Sequence, residues 1–207
     1  MRLNLILIEP EFNNFYVLYT QLHKLMTKDD LVVTNHRMVM RYTYMVWDKI
    51  SIFDEQTYDN REYDRVIIFS NKTETPLYKD FVRIAKKTPE NIDIGFKPED
   101  IITPSVTGRV VHCKKTPFDI YIGREAPKLP ASKWKNPYPM ENESCRDNVI
   151  WGFTWHLIQH PELFNKLPEL KDKILGCWCA NAEGTRLCHG HLLVWLADRN
   201  ITSINSQ

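Results

Sequence analysis

The sequence predicts an α/β protein with a Rossmann-like three-layer N-terminal domain and a small α/β C-terminal domain. Over residues 1–98, short apolar runs typical of buried strands alternate with segments of helical periodicity. This alternation is typical of a parallel sheet that helices cover on both faces. The proline-containing segment KPEDIITPS then interrupts the pattern, and the strand-like runs beyond it are fewer. We therefore expect domains at 1–98 and 105–199, and a flexible tail at 200–207.

The first domain is predicted to contain five strands with helices between them. In the first helical segment, Phe15, Leu18 and Leu22 share one face, and Asn13 or Asn14 precedes it as a candidate cap. The predicted strands of this domain are the runs LNLILIE, DLVVTN, ISIF, DRVIIFS and IDIGF.

The second domain is predicted to contain three strands, VTGRVVHC, FDIYIG and KILGCWC, and helices near the C-terminus. Ser144 and Asp147 have the spacing of a capping box, which predicts a helix from there to about residue 160. Pro161 is well placed to begin a second, short helix. The segment HGHLLVWLAD predicts the final helix.

Composition excludes several classes of protein. The chain has 27 Lys and Arg against 26 Asp and Glu, so we expect no duplex nucleic-acid partner. The apolar start is too short for a secretory or membrane-spanning segment, and no membrane association is predicted. The odd number of cysteines, five, indicates reduced thiols and a cytoplasmic protein, in the host cytoplasm if a phage encodes it.

Residues 175–193 contain three of the five cysteines and two of the seven histidines. Cys177 and Cys179 lie two apart on a predicted strand, so their side chains share a face. Three interpretations are open: buried, unreactive thiols, a ligand pocket, and a zinc site formed by Cys177, Cys179, Cys188 and His189. The C-x-C spacing suits zinc less well than the C-x-x-C knuckle, so we assign no metal.

In the pocket interpretation, the start of the final helix offers free backbone N–H groups to an anion. Cys188 would be a nucleophile with a lowered thiol pKa, and His189 would act as an acid or base. Gly190 would permit close approach of a ligand. His191 is expected to cap the helix.

The segments YIGR and SKWKNPYP provide a second group of candidates. Arg124 and Lys133 are cations that can hold a phosphate, and Trp134 can stack on a base or sugar. The alternative is a structural loop whose tryptophan fills the core. The predicted ligand-binding residues of both groups are Tyr121, Gly123, Arg124, Ser132, Lys133, Trp134, Asn136, Cys177, Cys179 and Gly190.

Four motifs in order, YIGR, SKWKNP, ELKDKILGCWC and CHG, resemble domain-of-unknown-function family 4326, small proteins common in bacteria and their phages. The resemblance covers residues 108–198 and implies a compact α/β domain without an established activity. The family pattern usually has Gly in place of Lys135 and Asp in place of His191. Any chemistry that depends on that acidic residue is therefore lost or altered here.

Residues 1–98 are similar to the SLOG superfamily of Rossmann-like nucleotide-binding domains in the order of their strands and helices and in the segment EYDRVIIFSNKTETPLYKDFVRIAKK. The glycine-rich phosphate loop expected after the second strand is absent, since the chain reads VVTNHRMVMRYTY. Without glycine, the backbone cannot come close to a phosphate there. We expect a degenerate, structural or partner-binding copy of the domain.

Two functions are predicted from these features. The first is a nucleotide- or nucleoside-binding protein, with the option of an enzyme that acts at a glycosidic or phosphate bond. The second is a non-catalytic phage-type protein that binds a host protein or sequesters a nucleotide signal. No cofactor is assigned. A zinc deaminase is disfavoured because the P-C-x-x-C motif, which supplies the cysteine ligands in that chemistry, is absent from the sequence.

Overall fold

The computed structural model describes residues 1–49, 51–54, 61–72, 74–104, 109–181 and 186–201. The chain divides into two compact units, Met1–Ile101 and Ile102–Gln207, and the division falls within the proline-containing segment that follows the first predicted domain. Each unit is built on its own parallel sheet, which confirms the predicted α/β class.

Unit 1 contains a five-stranded parallel sheet in the order β3-β2-β1-β4-β5. The central strands are buried on both faces, as their continuous apolar sequences require. This is the order of the first five strands of a Rossmann fold, in which the first strand lies at the centre of the sheet. The strands are β1 Leu3–Ile8, β2 Leu31–Thr34, β3 Ile52–Phe53, β4 Arg65–Ser70 and β5 Glu90–Gly95.

The helices of unit 1 are α1 Phe15–Leu25, α2 Arg37–Trp47 and α3 Pro76–Ala85. Each begins at a side chain that accepts a hydrogen bond from the first turn: Asn14 before α1, His36 before α2 and Thr75 before α3. The prediction of an asparagine cap for the first helix is confirmed at Asn14.

The side chains at the carboxyl end of β1 leave little for an anion to bind. Glu9 is 1% exposed, its carboxyl group accepts a hydrogen bond from the Thr75 hydroxyl, and burial raises its pKa. Asn14 donates to the Asp100 carbonyl while it caps α1, and His36 caps α2. These helix starts are therefore satisfied by the protein's own groups, as expected of a sheet that lacks a phosphate loop.

Unit 2 contains a three-stranded parallel sheet in the order β6-β8-β7, so the strand nearest the C-terminus lies in the centre. Pro161 begins a short helix, as predicted. The elements are β6 Val110–His112, β7 Ile120–Tyr121, β8 Leu175–Cys177, α4 Arg146–Gln159, α5 Pro161–Phe164 and α6 His189–Asp198, with 3-10 turns at Glu143–Cys145 and Leu167–Leu170.

The predicted start of the long helix is wrong. The hydroxyl of Ser144 donates to the side chain of Asn142, residues Glu143–Cys145 form a 3-10 turn, and the helix begins at Arg146 without a side-chain cap. The Ser144 side chain is thus turned towards Asn142, and no hydrogen bond from it caps the helix. Its short side chain competes for local partners, as serine does at turns.

Helix α6 forms the centre of the unit 2 core, since every residue from His189 to Ala197 is buried. Ile201, in the predicted tail, continues this packing: it is 2% exposed and its N–H donates to the Leu196 carbonyl. The remainder of the predicted tail, 202–207, lies outside the described residues. In the part of the chain that the structure describes, no helix has both the length and the apolar character needed to cross a membrane.

Candidate functional site

A cavity of about 400 Å³ lies at the carboxyl ends of β7 and β8. The carboxyl ends of parallel strands are where α/β folds bind their ligands, and the volume is at the lower end of the range for small-molecule sites. The cavity is lined by Gly123, Arg124, Glu125, Ala126, Pro127, Asn136, Tyr138, Met140, Arg146, Val149, Ile150, Cys177, Trp178, Cys179, Cys188 and His189.

Residues from both predicted groups line this one cavity. The loop after β7 contributes Gly123 and Arg124, the end of β8 contributes two cysteines, and the start of α6 contributes Cys188 and His189. These elements meet because β7 and β8 are neighbouring parallel strands, and α6 begins beside their carboxyl ends. The predicted site residues that line the cavity are Gly123, Arg124, Asn136, Cys177, Cys179, Cys188 and His189.

Ser132, Lys133 and Trp134, which were predicted to bind a ligand, do not line this cavity. Trp134 is 1% exposed, and its indole Nε1 donates to Glu169 Oε1 at 2.7 Å, so no face of the ring is open for stacking. Lys133 forms an ion pair with the same carboxylate, 2.6 Å from Nζ to Oε1. The Ser132 hydroxyl accepts a hydrogen bond from the Trp134 N–H. These contacts favour the alternative interpretation, a structural loop.

Tyr121 also lies outside the cavity lining. Its hydroxyl donates to the Arg124 carbonyl at 2.6 Å, and the ring lies against Gly123, where a Cβ atom would be 2.4 Å from the phenol oxygen. Gly123 therefore allows the tyrosine to close the turn that carries Arg124. The tyrosine thus supports the turn that carries Arg124.

Gly190 was predicted to permit the close approach of a ligand, and the structure gives it a different role. A Cβ atom at this position would lie 2.7 Å from Cδ1 of Ile122 and 2.9 Å from Cγ1 of Val110. Gly190 therefore permits close packing of α6 against the strands, and it is absent from the cavity lining. The missing side chain makes room for core residues and not for a ligand.

Two arginines line the cavity and differ in their partners. Arg146 donates through Nε and Nη2 to the carboxylate of Glu143 and through Nη1 to the Leu187 carbonyl. Arg124 donates through Nε to the Asn136 carbonyl at 3.0 Å and through Nη2 to the Tyr138 carbonyl. Among the described residues, no ion pair or further hydrogen bond engages Arg124, so its charge and its Nη1 group are available to a ligand.

Three soft donor atoms converge on one wall of the cavity. The sulfur atoms of Cys177 and Cys188 and one ring nitrogen of His189 all lie within 4.8 Å of one another, and Cys177 Sγ is 4.0 Å from His189 Nδ1. Nε2 of His189 lies 3.0 Å from the Ile122 carbonyl. Since a carbonyl only accepts, Nε2 carries the proton and Nδ1 presents a lone pair to the sulfur atoms.

The imidazole of His189 is held in place and neutral. Phe153 packs edge-on against it, with ring centroids 4.8 Å apart. Burial lowers the pKa of His189 to about 4, so the ring carries no charge at neutral pH. Of the two ring nitrogens, only Nδ1 can accept a proton or a metal ion in this state.

The thiols of the C-x-C segment interact with each other. The pKa of Cys177 lies well above the usual range: its contact with Cys179 lowers it, but the contact with Cys188 and burial outweigh that effect. The pKa of Cys179 is also raised, by the Cys177 thiol and then by burial. The Cys179 N–H donates to Cys177 Sγ at 3.4 Å. All five cysteines of the chain are free thiols.

His191 is a helix cap, as predicted. Its Nδ1 accepts a hydrogen bond from the Cys188 N–H at 3.0 Å, and the residue is 1% exposed. This bond joins the third residue of α6 to the residue before the helix, which is the position a capping-box side chain occupies. The residue thus fixes the backbone that carries Cys188 and His189.

Several residues that line the cavity were not predicted from the sequence. Arg146 lies within the predicted capping box, between Ser144 and Asp147, and was not predicted as a site residue, although it lines the cavity. Tyr138 and Trp178 provide the aromatic surface that was assigned to Trp134. Strand alternation through Cys179 would place Trp178 on the opposite face from the two cysteines, but β8 ends at Cys177, so alternation no longer applies beyond it.

Comparison with known proteins supports the identification of the C-terminal domain. Residues 108–199 match the family model described as Domain of unknown function (DUF4326), which confirms the resemblance drawn from the four motifs. The chain is also similar to Uncharacterized protein R718 of Acanthamoeba polyphaga mimivirus, with 37% identity over 86 residues that cover 38% of this chain and 65% of the relative. The chain therefore matches less than two thirds of that relative's length. No solved structure matches the chain.

Proposed function

We propose that the cavity formed by residues 108–199 binds a nucleotide- or nucleoside-type small molecule through Arg124. The observation that carries this proposal is the unpaired guanidinium of Arg124 at the edge of a mainly apolar cavity of about 400 Å³. A phosphate can accept hydrogen bonds from the free Nη1 group. Because two other N–H groups already bind backbone carbonyls, the guanidinium is oriented before the ligand arrives.

The remaining lining suits the nonpolar part of such a ligand. Tyr138, Trp178 and Met140 line the same cavity, and aromatic rings are the surfaces on which bases stack. A volume of about 400 Å³ favours a mononucleotide or nucleoside over a dinucleotide.

The catalytic form of the proposal places the reacting bond at the wall formed by Cys188 and His189. His189 is neutral and its Nε2–H is committed to the Ile122 carbonyl, so its chemistry is restricted to Nδ1. A base of this kind accepts a proton at neutral pH only transiently, because burial holds its pKa at about 4. We therefore propose binding first, and turnover at a glycosidic or phosphate bond only as an additional activity of the same site.

A second candidate function, binding of a host protein, is favoured by one feature of unit 1. Four large apolar side chains of β2, α2 and β3 are at least 39% exposed: Leu31, Tyr44, Ile52 and Phe53. Apolar side chains of this size serve as anchors at protein interfaces. Dose dependence distinguishes the candidates in any biological assay, because a binder acts in proportion to its target and an enzyme turns over.

Calorimetric titration of the full chain with AMP, GMP, CMP and UMP tests the proposed binding. Arg124→Gln removes the free cation, and Lys133→Gln is the matched control because its charge is already paired with Glu169. A charge-assisted hydrogen bond contributes about 1.5–3 kcal/mol, so Arg124→Gln should weaken binding about 10- to 150-fold. The control should stay within about twofold. Equal losses in both variants, or no binding of any of the four nucleotides, would contradict the proposal.

A further inference from the structure

We infer that Cys177, Cys188 and His189 form a binding site for a soft divalent metal ion, zinc above all, with a fourth coordination position that faces the cavity. The three side chains provide two sulfur atoms and one imidazole nitrogen, the donor types that zinc prefers. This inference is independent of nucleotide binding, because it concerns a different wall of the cavity and different residues from Arg124.

The distances between the donor atoms are close to those of a tetrahedral site. Zinc–sulfur bonds of about 2.3 Å and zinc–nitrogen bonds of about 2.0–2.1 Å place bound sulfur atoms about 3.8 Å apart, and sulfur and nitrogen about 3.5 Å apart. Cys177 Sγ and His189 Nδ1 are 4.0 Å apart, and the whole set lies within 4.8 Å. Small changes in side-chain torsion are therefore enough to bring all three donors to one ion.

The hydrogen bonds around His189 are those of a metal ligand. Histidines that bind zinc usually donate their second ring N–H to a carbonyl or carboxylate, which fixes both the tautomer and the ring orientation. Here the Ile122 carbonyl accepts from Nε2 at 3.0 Å, and Phe153 packs against the ring. The lone pair of Nδ1 is thereby directed at the two sulfur atoms.

Metal binding would displace the protons of the two thiols, and two features of the surroundings would support the bound sulfur atoms. Cys188 is the residue before helix α6, where the helix dipole favours negative charge. Cys177 Sγ accepts the N–H of Cys179, a backbone donor of the kind that supports a bound sulfur. All three ligands are at most 4% exposed and lie at the end of β8 and the start of α6, so the site is built on rigid elements.

Three protein ligands with one open position are the pattern of catalytic zinc sites, whereas structural sites use four. All three residues line the cavity, so the open position is available to water or to a bound ligand. Cys179 lines the cavity as well and is less buried than the others, and we place it outside the ligand set. An ion at this position would act as a Lewis acid on a group held in the cavity.

Metal content of the full chain tests the inference without any nucleotide. The protein is purified under a phosphine reductant without chelator, incubated with zinc sulfate, desalted and measured by native mass spectrometry. We expect about one zinc ion per folded chain, lost in Cys177→Ser and in Cys188→Ser. It should be retained in Cys145→Ser, the matched control outside the cluster. A folded wild-type chain with no zinc and five free thiols would overturn the inference, as would zinc that persists in Cys188→Ser.

Cobalt(II) substitution of the wild-type chain keeps the test decisive where a serine variant fails to fold. We expect the intense visible bands of a tetrahedral ion and a sulfur-to-cobalt charge-transfer band whose intensity corresponds to two thiolates. The Cys179→Ser spectrum should be the same as that of the wild type. Weak octahedral bands, or a lower thiolate intensity in Cys179→Ser, would contradict the three-ligand site. Arg124→Gln should retain the metal, so the failure of either proposal can be recognised separately.

Discussion

Replacement of Trp134 by phenylalanine distinguishes a structural tryptophan from a ligand-stacking one. In the wild type the indole is 1% exposed and its Nε1 donates to Glu169 over 2.7 Å. A hydrogen bond to a charged group contributes about 1.5–3 kcal/mol, and the lower half of this range applies, since Glu169 keeps Lys133 as a partner and is 38% exposed. Loss of part of the buried ring adds about 1 kcal/mol. We therefore expect Trp134→Phe to lower the free energy of unfolding by about 2–3 kcal/mol.

Denaturant unfolding followed by tryptophan fluorescence measures this loss, because five of the six tryptophans lie in unit 2 and only Trp47 lies in unit 1. Glu169→Gln is the control: it keeps an acceptor for the indole and removes only the partly exposed ion pair with Lys133, which contributes about 0–1 kcal/mol. Nucleotide affinity of Trp134→Phe should stay within about twofold of wild type. Unchanged stability together with a loss of affinity of about tenfold or more would refute the structural assignment.

Three further predictions concern the helix starts. Gly190→Ala should destabilise unit 2 by about 1–3 kcal/mol, since the new methyl group overlaps Ile122 and Val110. A lower midpoint of thermal unfolding than that of the wild type would show this loss, and an unchanged midpoint would contradict the packing role. Asn14→Ala should cost unit 1 about 1 kcal/mol in urea unfolding through the lost cap, and an effect below about 0.3 kcal/mol would contradict that role. Burial lowers the pKa of His36 to about 4, below its unfolded value of about 6.5. The unfolded chain therefore binds more protons in this window, and stability is present above pH 6.5 and lost as the pH falls towards 4, by at most about 3 kcal/mol. His36→Asn keeps a cap without titrating, so equal pH profiles for variant and wild type in denaturant unfolding would show the assignment to be wrong.

The sequence alone was sufficient for the strands and for half of the site, because both follow from local patterns. Apolar runs identified the strands of both sheets, and residues just after the strand ends, such as Arg124 and Cys177, lie at the shared edge that parallel pairing creates. The capping role of His191 also followed from its place in the first turn of the helix.

The remaining errors arise where a side chain's partner is distant in sequence. Trp134 and Lys133 were assigned to a ligand, but Glu169, some 35 residues away, engages both. A loop tryptophan looks the same in sequence whether its partner is a ligand or a carboxylate. No metal was assigned from the sequence because the C-x-C spacing suits zinc poorly. The donor atoms that converge belong to Cys177 at a strand end and to Cys188 and His189 at a helix start. Only the tertiary structure determines the distance between these two places.

A crystal structure of the full chain soaked with the nucleoside monophosphate that binds best would locate the ligand directly. We expect phosphate oxygens within hydrogen-bonding distance of the Arg124 guanidinium and a base against Tyr138 or Trp178, with Trp134 still bonded to Glu169. Nucleotide density at the carboxyl edge of the five-stranded sheet, with the cavity beside Arg124 unchanged, would contradict this expectation.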